Sequence, residues 1–432
     1  MHPLLKLGTA KIDITPKFPV PLAGFSSRKE LGPCEGVSHP LFARIFLFQQ
    51  EDEARNGQKA LLISADLIWW GTDRVRGLKE QIARRWGIEE DAIIFHGTHT
   101  HSGPQTSSLF TPLLGEFDAD YIRDMESKMV EGIERAGSRL EPVAIERGIG
   151  CCDIGVNRRL SAQMSPNLEG PTDPDVNVIR FVTEHGEPRA LLVHYTCHPV
   201  VTRENLVSCE FTGVAMEQLE EAMGEGAIAA FLQGCCGDIN PGMEGRFCFG
   251  DDSEVRQLGS KFAEAVLGIL ARPMAAVPPS PLGFVRKAVS LPLQKLPTLQ
   301  ELEDKKENDG VEGEWSRLLL EAPHKFVPHV AFELTLLTIG HGLSFLAMNS
   351  EVVVEYGLLL KEHVGSRILP IPYSNGMIGY VPTAKQLEEG GYEALESTLY
   401  FGLPAPFDPE IETIISTEMT NWTVAGLEAE NN

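Results

Sequence analysis

Positive charge is scarce in this sequence. Its 37 lysine and arginine residues face 61 aspartate and glutamate residues, a formal net charge of −24 over 432 residues. A chain so acidic repels phosphate backbones, which argues against nucleic acid as a partner. The same excess opposes docking on anionic lipid headgroups. Long apolar runs are also missing. No segment reaches the roughly 18 uninterrupted apolar residues of a spanning helix, so no stable membrane insertion is expected. The opening stretch MHPLLKLGTAKIDITPK lacks the apolar block of a signal peptide, and a cytoplasmic protein is the resulting expectation. None of the eight cysteines forms a Cys-x-x-Cys pair, and Cys151-Cys152 and Cys235-Cys236 are adjacent, a poor geometry for ordinary disulfides. Reduced, mostly buried thiols are therefore expected. There is no internal repeat and no low-complexity linker, so residues 1–432 are read as a single catalytic domain. Nothing in the sequence speaks to oligomeric state.

What is present is ordinary globular material, 43% hydrophobic, enough to bury a large core. Apolar runs alternate with helical spacing. Strands are expected at 60–70, 91–101, 177–182 and 189–200, a strand breaking into a Gly-rich turn at 228–242, and helices at 73–87, 118–137, 212–224 and 253–271, with Thr212 as a candidate cap. Alternation of this kind implies an α/β core. The second half has α+β character: longer strands at 284–293 and 329–351, the latter a hairpin around Gly340-His341-Gly342. The expected architecture is a mixed β-sheet flanked by helices, with the active site at strand ends. The charge-dense stretch 299–319 reads as a solvated helix and loop without a function.

Polar residues gather where the apolar strands end, which is where ligand crevices form in α/β sheets. His99 and His101 follow one strand, His198 a second, Asp238-Ile239-Asn240-Pro241 a third and Glu351 a fourth; Tyr380 lies in the turn NGMIGYVPT. Histidine and carboxylate together suit Zn²⁺, which takes imidazole nitrogen and carboxylate oxygen and keeps a position open for water at a catalytic site. His99 and His101 lie two apart, so on a strand they share a face, and His96 points the other way. One of the pair can bind metal while the other moves a proton. Each residue also has an ordinary explanation when read singly: a hydrogen-bonded strand-end histidine, a helix N-terminal carboxylate at Glu351, a strand-to-helix turn at GCCGDINPG, a half-buried core tyrosine at Tyr380.

In order along the chain, GTAKIDITPKFPVPLAGF, GTHTHSGP, VNRRL, HPVVT, GCCGDINPG and GYVPT followed by YEALEST resemble the catalytic domain of the neutral/alkaline (non-lysosomal) ceramidase family. The resemblance implies a zinc-dependent hydrolase that cleaves the amide bond of N-acyl lipids by attack of zinc-bound water. It places the zinc ligands at His99, His198, Glu351 and Tyr380, a second active-site histidine at His101, and pocket-lining groups at Arg158 and Tyr392. It also marks departures. Asn240 stands where the family has a serine, and an amide is no hydroxyl nucleophile, so an acyl-enzyme at that position is excluded. Asn240 can still donate a hydrogen bond to a developing oxyanion. The family's C-terminal immunoglobulin-like domain is expected to be absent. The resulting expectation is a small-molecule N-acyl or O-acyl substrate. Hydrolysis of an ester or sugar derivative on the same scaffold, or a silent metal- or ligand-binding homologue, is the alternative.

Overall fold

The computed structural model describes residues 4–51 and 57–430. Leu4–Asp13, Phe42–Glu51 and Gln58–Ala65 pair antiparallel in succession. Ile93–Gly97 joins Gln58–Ala65 in parallel, after a crossover through the helix Thr72–Trp86. On the other side, Leu4–Asp13 meets Glu141–Cys151, which leads through Asp175–Thr183 to Pro188–Tyr195, all antiparallel. Ile228–Gln233 then adds in parallel after the helix Glu210–Met223. Parallel neighbours require such crossovers, and the helices cover the sheet faces.

The two halves of this sheet are joined by only two residue pairs, Lys6–Pro142 and Leu7–Glu141. It folds over at that narrow link. Ser64 Oγ donates to the carbonyl of Phe231 at 2.6 Å and the Gln233 amide to His96 Nε2 at 2.8 Å, so the two parallel pairs face each other. Their carboxyl ends therefore open on the same place. The strands of these pairs are buried on both faces, which is why ALLISA and ALLV read as almost wholly apolar runs.

Helix ends follow local chemistry. Asp118 caps Ala119–Gly137 through the amides of Asp120 and Tyr121, and Asp251 forms a capping box with Glu254 at the start of Asp252–Leu270. Gly87 closes Thr72–Trp86 in the left-handed region at φ 63°. Thr212 is not a cap: the helix begins two residues earlier, at Glu210, and the Thr212 hydroxyl bonds back to the Cys209 carbonyl at 3.2 Å. The strands expected at 60–70 and 91–101 stop earlier, at Ala65 and Gly97.

A second sheet of Gly283–Pro292, His329–Gly340 and Leu343–Met348 is antiparallel, and Ile368–Ile371 adds to it in parallel. The expected hairpin turns at Gly342, at φ 67°. Met348, Tyr356, Tyr373 and Ile415 pack in a second core that also takes Ile68 and Trp69 from the first half. The stretch 299–319 is not simply solvated. Its helices Leu299–Lys305 and Val311–Glu321 enclose Leu302, Trp315 and Leu319, and Trp315 Nε1 donates to the Leu403 carbonyl at 2.7 Å. Burying each of the two leucines contributes about 1.5–3 kcal/mol. The cysteines are unpaired, all buried except Cys151. Among the described residues no helix is long and apolar enough to cross a membrane.

Candidate metal centre and cleft

His99 lies beyond its strand, in a turn, at φ 72°. Such a conformation is costly for a residue with a Cβ and persists only when its surroundings fix it. They do so here. The His99 amide donates to the Leu67 carbonyl at 2.9 Å, its Nδ1 lies 2.9 Å from the Ile68 carbonyl, and Tyr373 stacks on its ring at 4.1 Å. Strand alternation therefore does not bring His99 and His101 together, as the sequence suggested; the turn does, with their Nε2 atoms 3.1 Å apart. His96 is a structural residue, as its parity implied, bonded to Ser374 Oγ and the Gln233 amide.

His198 follows Pro188–Tyr195 and is fully buried, with Nδ1 3.2 Å from the Ile239 carbonyl. Glu351, 1% exposed, sits on the short strand Glu351–Val352, which pairs in parallel with Tyr380–Val381 so that Glu351 and Tyr380 are register neighbours. Glu351 Oε1 lies 3.2 Å from His99 Nε2 and 2.8 Å from His198 Nε2. Yet Glu351 Oε1 and His198 Nε2 both lack a hydrogen-bond partner, since their close approach does not have hydrogen-bond geometry. Two buried polar atoms left so is a costly arrangement unless something else satisfies them. A divalent cation fits. In both histidines Nδ1 is held by a backbone carbonyl, which fixes the tautomer and leaves the Nε2 lone pair as the ligand.

The electrostatics agree. Burial pushes the Glu351 carboxyl up, but the imidazoles of His99 and His198 outweigh it and hold the group well below the usual carboxylate range. Burial, followed by the Arg158 charge, lowers His198 to about 4. Burial, then His99 and His198, hold His101 well below its usual range, so its imidazole is neutral. His99, His101 and His198 offer nitrogens within 4.8 Å of one another, so proximity alone leaves His101 a possible donor.

Beside this centre each nitrogen of Arg158 donates one hydrogen bond. Its Nε donates to Glu393 at 2.7 Å, one terminal nitrogen to Asn240 Oδ1 at 3.1 Å and the other to Tyr380 Oη at 2.9 Å. Tyr380 is buried rather than half-buried, and burial raises its phenol well above the ordinary range. Asn240 lies on Ile239–Met243, so GCCGDINPG turns from strand to strand and not from strand to helix. His101, Arg158, Asn240, Tyr380 and Tyr392 line one cleft of about 310 Å³. The sequence-predicted residues are thus brought together: His99, His198 and Glu351 at the convergence point, the other five along the cleft wall.

Sequence reasoning missed three residues. Tyr373 stacks on His99 and meets Cys236 Sγ at 3.0 Å. Glu393 bridges Arg158 and Arg159 from a π-helical turn, Tyr392–Glu396. Gly24, at φ 99°, lies where a Cβ would come 2.4 Å from His101 Nδ1. Glu393 left a trace as an acid beside Tyr392 in YEALEST and Gly24 as the glycine of PLAGF, whereas Tyr373 left none.

A model of the neutral/alkaline non-lysosomal ceramidase N-terminal region matches residues 5–268. A neutral ceramidase of Pseudomonas aeruginosa is 27% identical over 254 residues, 55% of this chain and 37% of its own length. Neutral ceramidase 3 of Arabidopsis thaliana is 23% identical over 303 residues, 56% of this chain and 39% of its own. The chain thus matches well under half of these relatives' length. The fold is that of the neutral ceramidase crystal structure from Pseudomonas aeruginosa, with a TM-score of 0.78 at 20% identity over 99% of this chain and 75% of that one.

Proposed function

Because the chain belongs to the neutral/alkaline non-lysosomal ceramidase family, we propose that it is a zinc-dependent hydrolase cleaving the amide bond of an N-acyl compound. His99, His198 and Glu351 hold the metal, with Tyr380 contributing its oxygen. The observation that carries this reading is the convergence of His198 Nε2 and Glu351 Oε1, buried and unpartnered, beside His99 Nε2. Two imidazoles and a carboxylate are a donor set that suits zinc. When bound there, zinc supplies Lewis-acid polarisation of a carbonyl and water of lowered pKa.

The chain's own residues do the rest. Neutral His101 accepts the proton released as water adds to the acyl carbon and returns it to the departing amine nitrogen. Asn240 Oδ1 is engaged by Arg158, which leaves its amide N–H₂ as the donor for charge developing on the acyl oxygen. Arg158, fixed by Glu393, holds Asn240 and Tyr380 in place, and Tyr392 lines the substrate side. With Asn240 in place of a hydroxyl, no acyl group is transferred to this position. A cleft of about 310 Å³ is at the small end of ligand sites, which favours short acyl compounds over long-chain lipids.

The test is hydrolysis of an N-acyl panel of graded chain length by zinc-loaded protein, with chelation and zinc readdition as the control. Amide cleavage lost on chelation and restored by zinc is expected. Zinc-replete protein that cleaves no N-acyl compound refutes the reading.

A further inference from the structure

The protein has 61 acidic residues and a net charge of −24, yet no aspartate or glutamate lines this cleft, whereas Arg158 and Arg203 do. Arg158 is spent on Glu393, Asn240 and Tyr380. Arg203 is not spent. It has no ion-pair or hydrogen-bond partner among the described residues. Its guanidinium lies 5.3 Å from the ring of Phe25 and 5.3 Å from that of Phe249. Two such contacts hold the stem and plane of an arginine without using its N–H donors. The neighbouring carboxylate of Glu204 accepts from Thr202 Oγ1 at 3.4 Å. Ser26 and Ser27 line the same cleft.

An arginine held between two rings, with free donors, in a cleft lined by hydroxyls and by no acid, suits a planar anion. We propose that Arg203 is a specificity-determining residue that binds a free carboxylate on the substrate, so that the enzyme takes N-acyl compounds carrying a carboxylate on the amine or the acyl half. This rests on the reading of the cleft as an amide-hydrolysing site. Arg203 is exposed at the cleft rim, so a neutral substrate leaves it to water while a carboxylate gains a charge-assisted pair.

The test separates binding from turnover. The probes are ketomethylene isosteres of N-hexanoylglycine and of the N-butyl monoamide of adipic acid, each beside its neutral carboxamide. They cannot be hydrolysed, and they place the carboxylate on the amine or the acyl half. Calorimetry on zinc-loaded protein should show at least tenfold tighter binding of one carboxylate probe than of its carboxamide. That preference should vanish in Arg203→Met and Arg203→Gln, persist in Arg203→Lys, and weaken with salt. Equal affinity for charged and neutral probes on both halves overturns the proposal, as does a preference that both neutral variants retain. If the preference holds but the parent amides are not cleaved, the amidase reading fails and the anion subsite stands.

Discussion

Individual side chains here are held by partners that leave a chosen atom free. His99 and His198 give Nδ1 to the backbone and keep Nε2 for the centre. His101 has its Nδ1 buried without a partner and meets His99 through Nε2. If His101 moves protons, His101→Ala should keep its zinc and lose turnover by roughly 10²–10⁴-fold; loss of metal along with activity would make it a ligand instead. Glu393 is the partner of two buried arginines, Arg158 and Arg159. Removing one member of a buried pair typically costs about 3–5 kcal/mol. Urea unfolding of Glu393→Ala should show a loss of that order, and a change below about 1 kcal/mol would mean the arginines find other partners. Gly24→Ala should depress kcat without releasing zinc, since the added Cβ meets the His101 ring and φ is 99°; unchanged kinetics would show that the turn yields.

Secondary-structure elements determine which of these placements the sequence could announce. Asp238, in the turn after Ile228–Gln233, accepts from the Val354 amide at the start of Val354–Val364, at 2.9 Å. Glu355 lies in that helix's first turn, and Gln386 Nε2 donates to both acids at 3.2 Å. Burial raises Asp238 from 3.8 to about 6, and burial together with Asp238 raises Glu355 from 4.5 to about 8. Both folded values exceed the unfolded ones, so the folded state binds more protons between them. Stability from this pair is complete below about pH 4 and is lost as pH rises to about 8. Glu355→Gln should flatten that slope in urea melts at pH 5 and pH 8. An unaltered slope would place the titration elsewhere. The strands themselves were legible, because fully buried parallel strands are apolar throughout. Their ends were not: Asp66-Leu67-Ile68-Trp69-Trp70 continues the apolar run although the chain has left the sheet and turned to support His99. Hence His99 and His101 were assigned to one strand face when a left-handed turn joins them. Glu351 and Tyr380 were legible as residues, but their adjacency depends on a two-residue parallel pairing that no periodicity announces.

At the scale of the whole molecule, the folded-over sheet brings the ends of its two parallel pairs together, and the short pairing of Glu351–Val352 with Tyr380–Val381 adds Glu351 and Tyr380 from far along the chain. A centre assembled from such distant segments links metal binding to folding. Free zinc at a thousandfold excess over its Kd should stabilise the protein by about 4.1 kcal/mol. A melting temperature indifferent to chelation would show that the centre does not tie these segments together. The most direct test of the account is the zinc content of the purified, zinc-equilibrated chain, measured by elemental analysis alongside folded His198→Ala and Glu351→Ala. The account predicts one zinc per chain and its loss in both variants. Stoichiometric zinc that survives both substitutions would contradict it.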